Sequence, residues 1–194
     1  FMVMEKVLMY FLGIGVVVYI ILVGSYVVAH TETAQNTVSM SMTPDMSLLR
    51  QEVYVDSINH FNLHIPPGWV VDNDRAIKVG AVFIAYAGSG SDESRSIKVA
   101  QENILLTEQQ LRQGKISDFS YFLKNAKVAS SSLVSVHGKI GRLFEANINV
   151  NGILHHEYVF VVTKELYPFV ISGFARESMW DKYKDEILAS VLSF

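Results

Sequence analysis

The run from Val7 to Ala29, VLMYFLGIGVVVYIILVGSYVVA, holds no charged residue, and nothing else in the chain limits its folding as strongly. At about 1.5 Å per residue, roughly 20 apolar residues in a helix cross a hydrocarbon core of about 30 Å. A helix buried in a soluble core keeps a polar stripe, and this run has none. Val27 and Ala29 offer residues for a signal-peptide cut, but a cleavable leader has an apolar region of only about 7 to 15 residues. The length therefore predicts an uncleaved, single-pass transmembrane anchor within residues 1–29. Lys6 precedes the run and the next basic residue is Arg50. By the positive-inside rule the N-terminus is expected in the cytoplasm, with everything after the span in the periplasm or a lumen.

Within the span, Gly13 and Gly24 lie eleven residues apart and so fall on nearly the same helix face, with Gly15 nearby. Small residues on one face allow a second helix to approach closely, which makes Gly13, Gly15 and Gly24 candidate helix-packing positions. The expected partners are the lipid bilayer and other membrane protein subunits. Residues 30–49, HTETAQNTVSMSMTPDMSLL, show neither helical nor alternating periodicity and read as a linker. Met40, Met42 and Met46 do not need a soft metal to explain them, because methionine commonly packs against neighbouring surfaces.

Residues 50–194 are long enough for one ordinary domain. Without residues 1–49 the chain keeps 15 basic and 16 acidic side chains, a near-neutral balance that argues against a nucleic-acid partner. The absence of cysteine removes disulfides, thiolate metal sites and cysteine nucleophiles together.

The pattern here is mostly β. Phe61, Leu63 and Ile65 alternate with polar residues until Pro66, Pro67 and Gly68 stop the strand. Further strands are expected over 77–87 and 95–104, with the polar Gly88 to Ser94 segment between them as a hairpin tip. Lacking the lysine and following helix of a phosphate loop, that serine-glycine run is not one. A helix is expected from Thr107, opened by a capping pattern with Gln110, to Ala126, with a break at Gly114. Next come a strand near 127–136, a turn at His137 and Gly138, and a long hairpin around Asn151-Gly152. On that hairpin Phe144, Ala146, Ile148 and Val150 form one face of the outgoing strand, and Leu154, His156, Tyr158, Phe160 and Val162 continue on the return strand. A final strand over 167–174 leads to a closing helix opened by Ser178, with Trp180, Tyr183, Ile187, Leu188 and Val191 on one stripe. Strands joined by tight hairpins, interrupted by one helix and closed by another, imply an α+β domain: an antiparallel sheet with flanking helices.

The segments FNLHIPPGWVV (Phe61 to Val71), HGKIGRLFEANINVNG with EYVFVV, and DEILASVLSF (Asp185 to Phe194) resemble the superfamily of the photosystem II extrinsic subunit P (PsbP) and the Ran-binding Mog proteins. The resemblance covers residues 50–194. It implies an α/β/α sandwich around a central antiparallel sheet, and a domain that works as a binding or assembly module without chemistry of its own.

The residues themselves show no catalytic constellation. No G-x-S-x-G is present, and Ser130, Ser131 and Ser132 form a run without an elbow. His155 and His156 are adjacent on a strand, so they face opposite ways and cannot chelate one ion; one is expected inward and the other in solvent. A site joining His156 to a distant His60, His64 or carboxylate is the alternative to that reading. Asp72, Asn73 and Asp74 lack the rest of a calcium loop and read as turn residues. No catalytic, cofactor or metal site follows. The expected function is a non-catalytic accessory subunit of a membrane complex, such as a photosynthetic or respiratory one. A type IV pilin-like filament subunit is the alternative, resting on Phe1 and Glu5, whose buried carboxylate would pair with a neighbouring subunit's amine during assembly. Lys6 beside Glu5, and Pro44 where a pilin helix would continue, depart from that pattern.

Overall fold

The computed structural model describes residues 45–49, 52–87, 94–114, 123, 125–164 and 167–194, all within the compact unit Val38–Phe194. The expected transmembrane span lies outside the described residues. Among those described, no helix is long and apolar enough to cross a membrane.

The chain enters through a 3-10 turn, Met46–Leu48, capped by Asp45, whose carboxylate accepts from the Ser47 N–H at 3.0 Å. Leu49 behind it is buried. Strands β1 (Val53–Asp56) and β2 (Phe61–His64) form an antiparallel hairpin of their own. A second sheet contains β3 (Trp69–Val71), β4 (Phe83–Ala87), β5 (Arg95–Gln101), β6 (Ala126–Val136), β7 (Lys139–Val150), β8 (Ile153–Lys164) and β9 (Tyr167–Arg176). Its order is β3-β4-β5-β9-β8-β7-β6, and every neighbouring pair is antiparallel. The helices are α1 (Asn73–Lys78), α2 (Glu108–Gln113) and α3 (Glu177–Val191).

The meander β6 to β9 follows from its turn chemistry. Asn151 and Gly152 have φ of 52° and 82°, and His137 and Gly138 have 49° and 77°. Positive φ at both central residues gives the tight turn whose twist matches that of the paired strands. The Asn149 side chain accepts from the Gly152 N–H at 2.9 Å and braces the first of these turns.

Both faces of the large sheet are covered. On one, α3 lays Trp180, Ile187 and Val191 over Ile97, Val99, Phe160 and Ile171. The β1–β2 hairpin adds an aromatic cluster there, with Tyr54 4.5 Å from Phe83 and Phe61 5.1 Å from Phe194 between ring centroids. On the other face, Leu111 of α2 packs with Leu106 and Leu123 over Phe144, Ala146, Val159, Val161 and Val170, while Ala76 of α1 sits on Ile84. The helices thus flank the sheet on both sides, and the domain is α+β.

Three buried side chains fasten the layers. Arg142 of β7 donates to the Leu111 and Arg112 carbonyls at 3.0 and 3.1 Å, meeting the orphan acceptors at the end of α2. At the other face Ser193 accepts from the His64 N–H at 2.9 Å and donates to the Ser190 carbonyl at 2.7 Å, while the Ser190 hydroxyl donates to the His64 carbonyl. Strand β2 is therefore held by the chain's last residues.

Three expected boundaries are corrected. The helix from Thr107 breaks at Gly114 as expected, where the left-handed φ of 63° closes it; its expected continuation over 115–122 lies outside the described residues, and at its far end Ala126 is already the first residue of β6. Its opening is as expected, a capping box of Thr107 and Gln110. The strand expected from residue 77 begins at Phe83, because Asp72 accepts from the Arg75 N–H at 2.9 Å and nucleates α1 through Lys78. The closing helix opens at Glu177, one residue before Ser178, with no side-chain cap at Arg176, since β9 runs straight into it.

Candidate functional site

Strand pairing aligns a polar group on the sheet face opposite α3. Ser96, Phe174 and Glu157 stand in one row across β5, β9 and β8, and Lys98, Ser172 and Val159 in the next. Of these, Ser96, Lys98, Glu157, Ser172 and Phe174 floor a cavity of about 290 Å³. Ile84 and Tyr86 of β4, Arg75 of α1 and Val79 just after it wall it on one side; Ile148, Val150 and His155 wall it on the other. Its volume is at the lower end of the range of roughly 300 to 1,000 Å³ usual for small-ligand pockets.

The chemistry centres on Glu157. Burial pushes its carboxyl from the ordinary 4.5 up to about 7, against the opposing pull of the Lys98 charge and a hydrogen bond from the Ser172 hydroxyl. Near neutrality the site therefore exchanges between a carboxylic acid, which donates, and a carboxylate that feels the Lys98 charge. His155 is 6% exposed, donates from Nδ1 to the Ile153 carbonyl at 3.0 Å, and meets Phe174 edge-on at 5.5 Å. The Arg75 guanidinium lies over the Tyr86 ring at 5.3 Å.

The residues singled out in the sequence fall elsewhere. His155 and His156 do face opposite sides of the sheet, but neither stands in open solvent. His156 stacks on Trp180 with centroids 5.2 Å apart, and its Nε2 pairs with Glu177. His60 sits in the β1–β2 turn, where its carbonyl accepts from Lys164 Nζ at 3.0 Å, and His64 is engaged through its backbone. Asp72 caps α1. Ser131 accepts from Arg142 Nη1 at 3.2 Å, and Ser130 donates to Glu145. Among the described residues no three His, Asp or Glu side chains gather in a metal-binding group. Gly13, Gly15, Gly24, Phe1, Glu5, Met40 and Met42 lie outside the described residues.

Sequence reasoning missed the Glu157 cavity because only one face of the β7–β8 hairpin was read as buried. The available signal was the unbroken apolar run Val159 to Val162, which marks a strand covered on both faces. On such a strand a glutamate two residues upstream points into a packed layer.

No protein-family model matches the chain, and no curated protein matches it. Solved structures do. LpqN of Mycobacterium tuberculosis, described as involved in cell envelope biogenesis, aligns at 14% identity over 68% of this chain and 78% of that one, with a TM-score of 0.48. The cyanobacterial PsbP, CyanoP, from Synechocystis sp. PCC 6803 aligns at 17% identity over 73% of this chain and 89% of that one, with a TM-score of 0.57. At that identity the likeness speaks of architecture alone, and it shows that this domain has a PsbP-like α+β fold.

Proposed function

We propose that the chain is a single-span membrane protein whose PsbP-like domain stands in the periplasm or a lumen as a non-catalytic accessory subunit of a larger membrane complex. The observation that carries this reading is the conjunction, in one sequence, of the uncharged run Val7 to Ala29 with a domain of PsbP-like fold. The run supplies the anchor. Lys6 before it and Arg50 after it support a cytoplasmic N-terminus. Gly13, Gly15 and Gly24 are the proposed contacts with neighbouring helices.

The side chains that might have signalled catalysis have structural employment, which supports a binding role. Asp72 starts a helix, Ser131 serves Arg142, and His156 is stacked and ion-paired. A photosynthetic or respiratory complex is the proposed setting.

The test is to isolate the full chain from its native membrane in mild detergent, with a tag at its C-terminus. The expected result is that it resists alkaline extraction, is digested by protease added on the extracytoplasmic side, and migrates with other integral subunits. Release at alkaline pH, or migration as a lone chain under the mildest conditions, overturns the proposal.

A further inference from the structure

The cavity around Glu157 has the composition of a ligand site, and its lining selects among ligand chemistries. Phe174, Ile148, Val150, Ile84 and Val79 offer an apolar wall. Val79 and Val150 stay substantially exposed although each lines the cavity, so the apolar surface continues to its mouth. Facing Glu157 are Lys98 from β5, Ser172 from β9, Arg75 from α1, Tyr86 from β4 and His155 from its own strand; β7 contributes no charge. The Lys98 charge acts directly on that carboxyl. When that carboxyl is protonated, the floor offers the Lys98 ammonium, the Glu157 O–H and the Ser96 and Ser172 hydroxyls as donors. Such a floor matches an acceptor of negative charge, and the wall matches a compact hydrocarbon body.

We propose that this cavity binds a small amphipathic carboxylate, with its head group held by Lys98, Ser172 and the Glu157 carboxyl and its apolar body against Phe174, Ile148 and Val150. No bond is made or broken. The site stands on the domain's own geometry, independent of any membrane complex. Protonated Glu157 donates to the ligand and leaves Lys98 unneutralised, whereas ionised Glu157 repels the ligand and occupies the lysine. Binding therefore tightens as pH falls through about 7, the range in which Glu157 takes up its proton.

The experiment is isothermal titration calorimetry on the full chain in lipid nanodiscs, with the heats of empty discs subtracted. The probes are phenylacetate, phenethyl alcohol and phenethylamine, at about pH 6 and about pH 8. Phenylacetate is expected to bind best of the three, and to lose about tenfold in affinity between the two pH values, the change in the protonated fraction of Glu157. Glu157→Gln is expected to retain binding while abolishing that pH dependence, and Lys98→Met to weaken binding about tenfold at both values. The wild-type profile needs no variant to fold. Saturation by the amine or the alcohol as tight as by the acid overturns the proposal, as does an absence of saturable binding by all three. A pH dependence that survives Glu157→Gln overturns the role given to Glu157.

Discussion

Trp180 lies nearly parallel to His156, with ring centroids 5.2 Å apart and planes inclined by 19°, so the first turn of α3 is stacked directly on β8. Tyr158 closes on the same indole at 4.8 Å, and Glu177 pairs with the imidazole from the helix end. Only 6% of Trp180 remains exposed.

Trp180→Ala is therefore expected to destabilise the domain by about 3 to 5 kcal/mol, the usual loss for deleting a buried indole. Trp180→Phe is expected to lose less than half of that. Urea unfolding of the two variants beside wild type measures both. A loss for Trp180→Ala below about 1 kcal/mol contradicts the packing described.

Glu157 makes stability depend on pH with a definite sign. Its folded pKa of about 7 lies above the ordinary 4.5, so the folded state holds the proton more tightly. The stability this contributes is fully present below about pH 4.5 and is lost as pH rises through about 7, a change of about 3 kcal/mol. Glu157→Gln, which never ionises, is expected to be more stable than wild type above pH 7, with the gap closing toward pH 5. Denaturation midpoints across that range test it, and a gap that widens on acidification refutes it.

The serine clasp at the C-terminus has a local readout. Ser193→Ala removes the acceptor of the buried His64 N–H at 2.9 Å and is expected to cost about 1 to 3 kcal/mol. Because Ser190 and Ser193 act on the same strand, the double variant is expected to lose less than the sum of the single ones. Amide exchange at His64 should accelerate before that of Ile171 in the sheet centre.

Gly173 allows α3 to settle on β9. A methyl at this position would meet Ile187 Cγ2 at 2.5 Å and Val191 Cγ2 at 2.8 Å. Gly173→Ala is expected to destabilise by about 1 to 3 kcal/mol through overpacking. Gly68→Ala, whose added methyl meets nothing within 4 Å, is strained only through its φ of 77°. The two glycines thus separate steric from backbone causes by the compensating effect of Ile187→Val, which should relieve Gly173→Ala alone.

The sequence made the hairpins legible because Asn151-Gly152 and His137-Gly138 encode their turns within a few residues, and the alternation of Phe144, Ala146 and Ile148 is local too. Strand β1 and strand β3 were not legible, since Val53 to Asp56 and Trp69 to Val71 carry too few residues to display a period. Helix α1 was hidden by Ile77 and Val79, which look like strand residues but stand exposed, while its determinant is a single cap at Asp72. The Glu157 site was hidden for a different reason. Its members sit on β4, β5, β8, β9 and α1, and only the β5–β9 pairing, which joins residues far apart in the chain, brings them together.

That same pairing orders events during synthesis. Strands β3, β4 and β5 are made before the meander, yet β5 finds its inner neighbour only in β9, which follows β6, β7 and β8. Until then its edge is an unoccupied template for any other strand. The β6 to β9 meander can zip up locally, but Phe61 awaits Phe169 and Phe194, and the His64 backbone awaits Ser190 and Ser193. The N-terminal third of the domain therefore travels as an open half, and the final residues act as the latch.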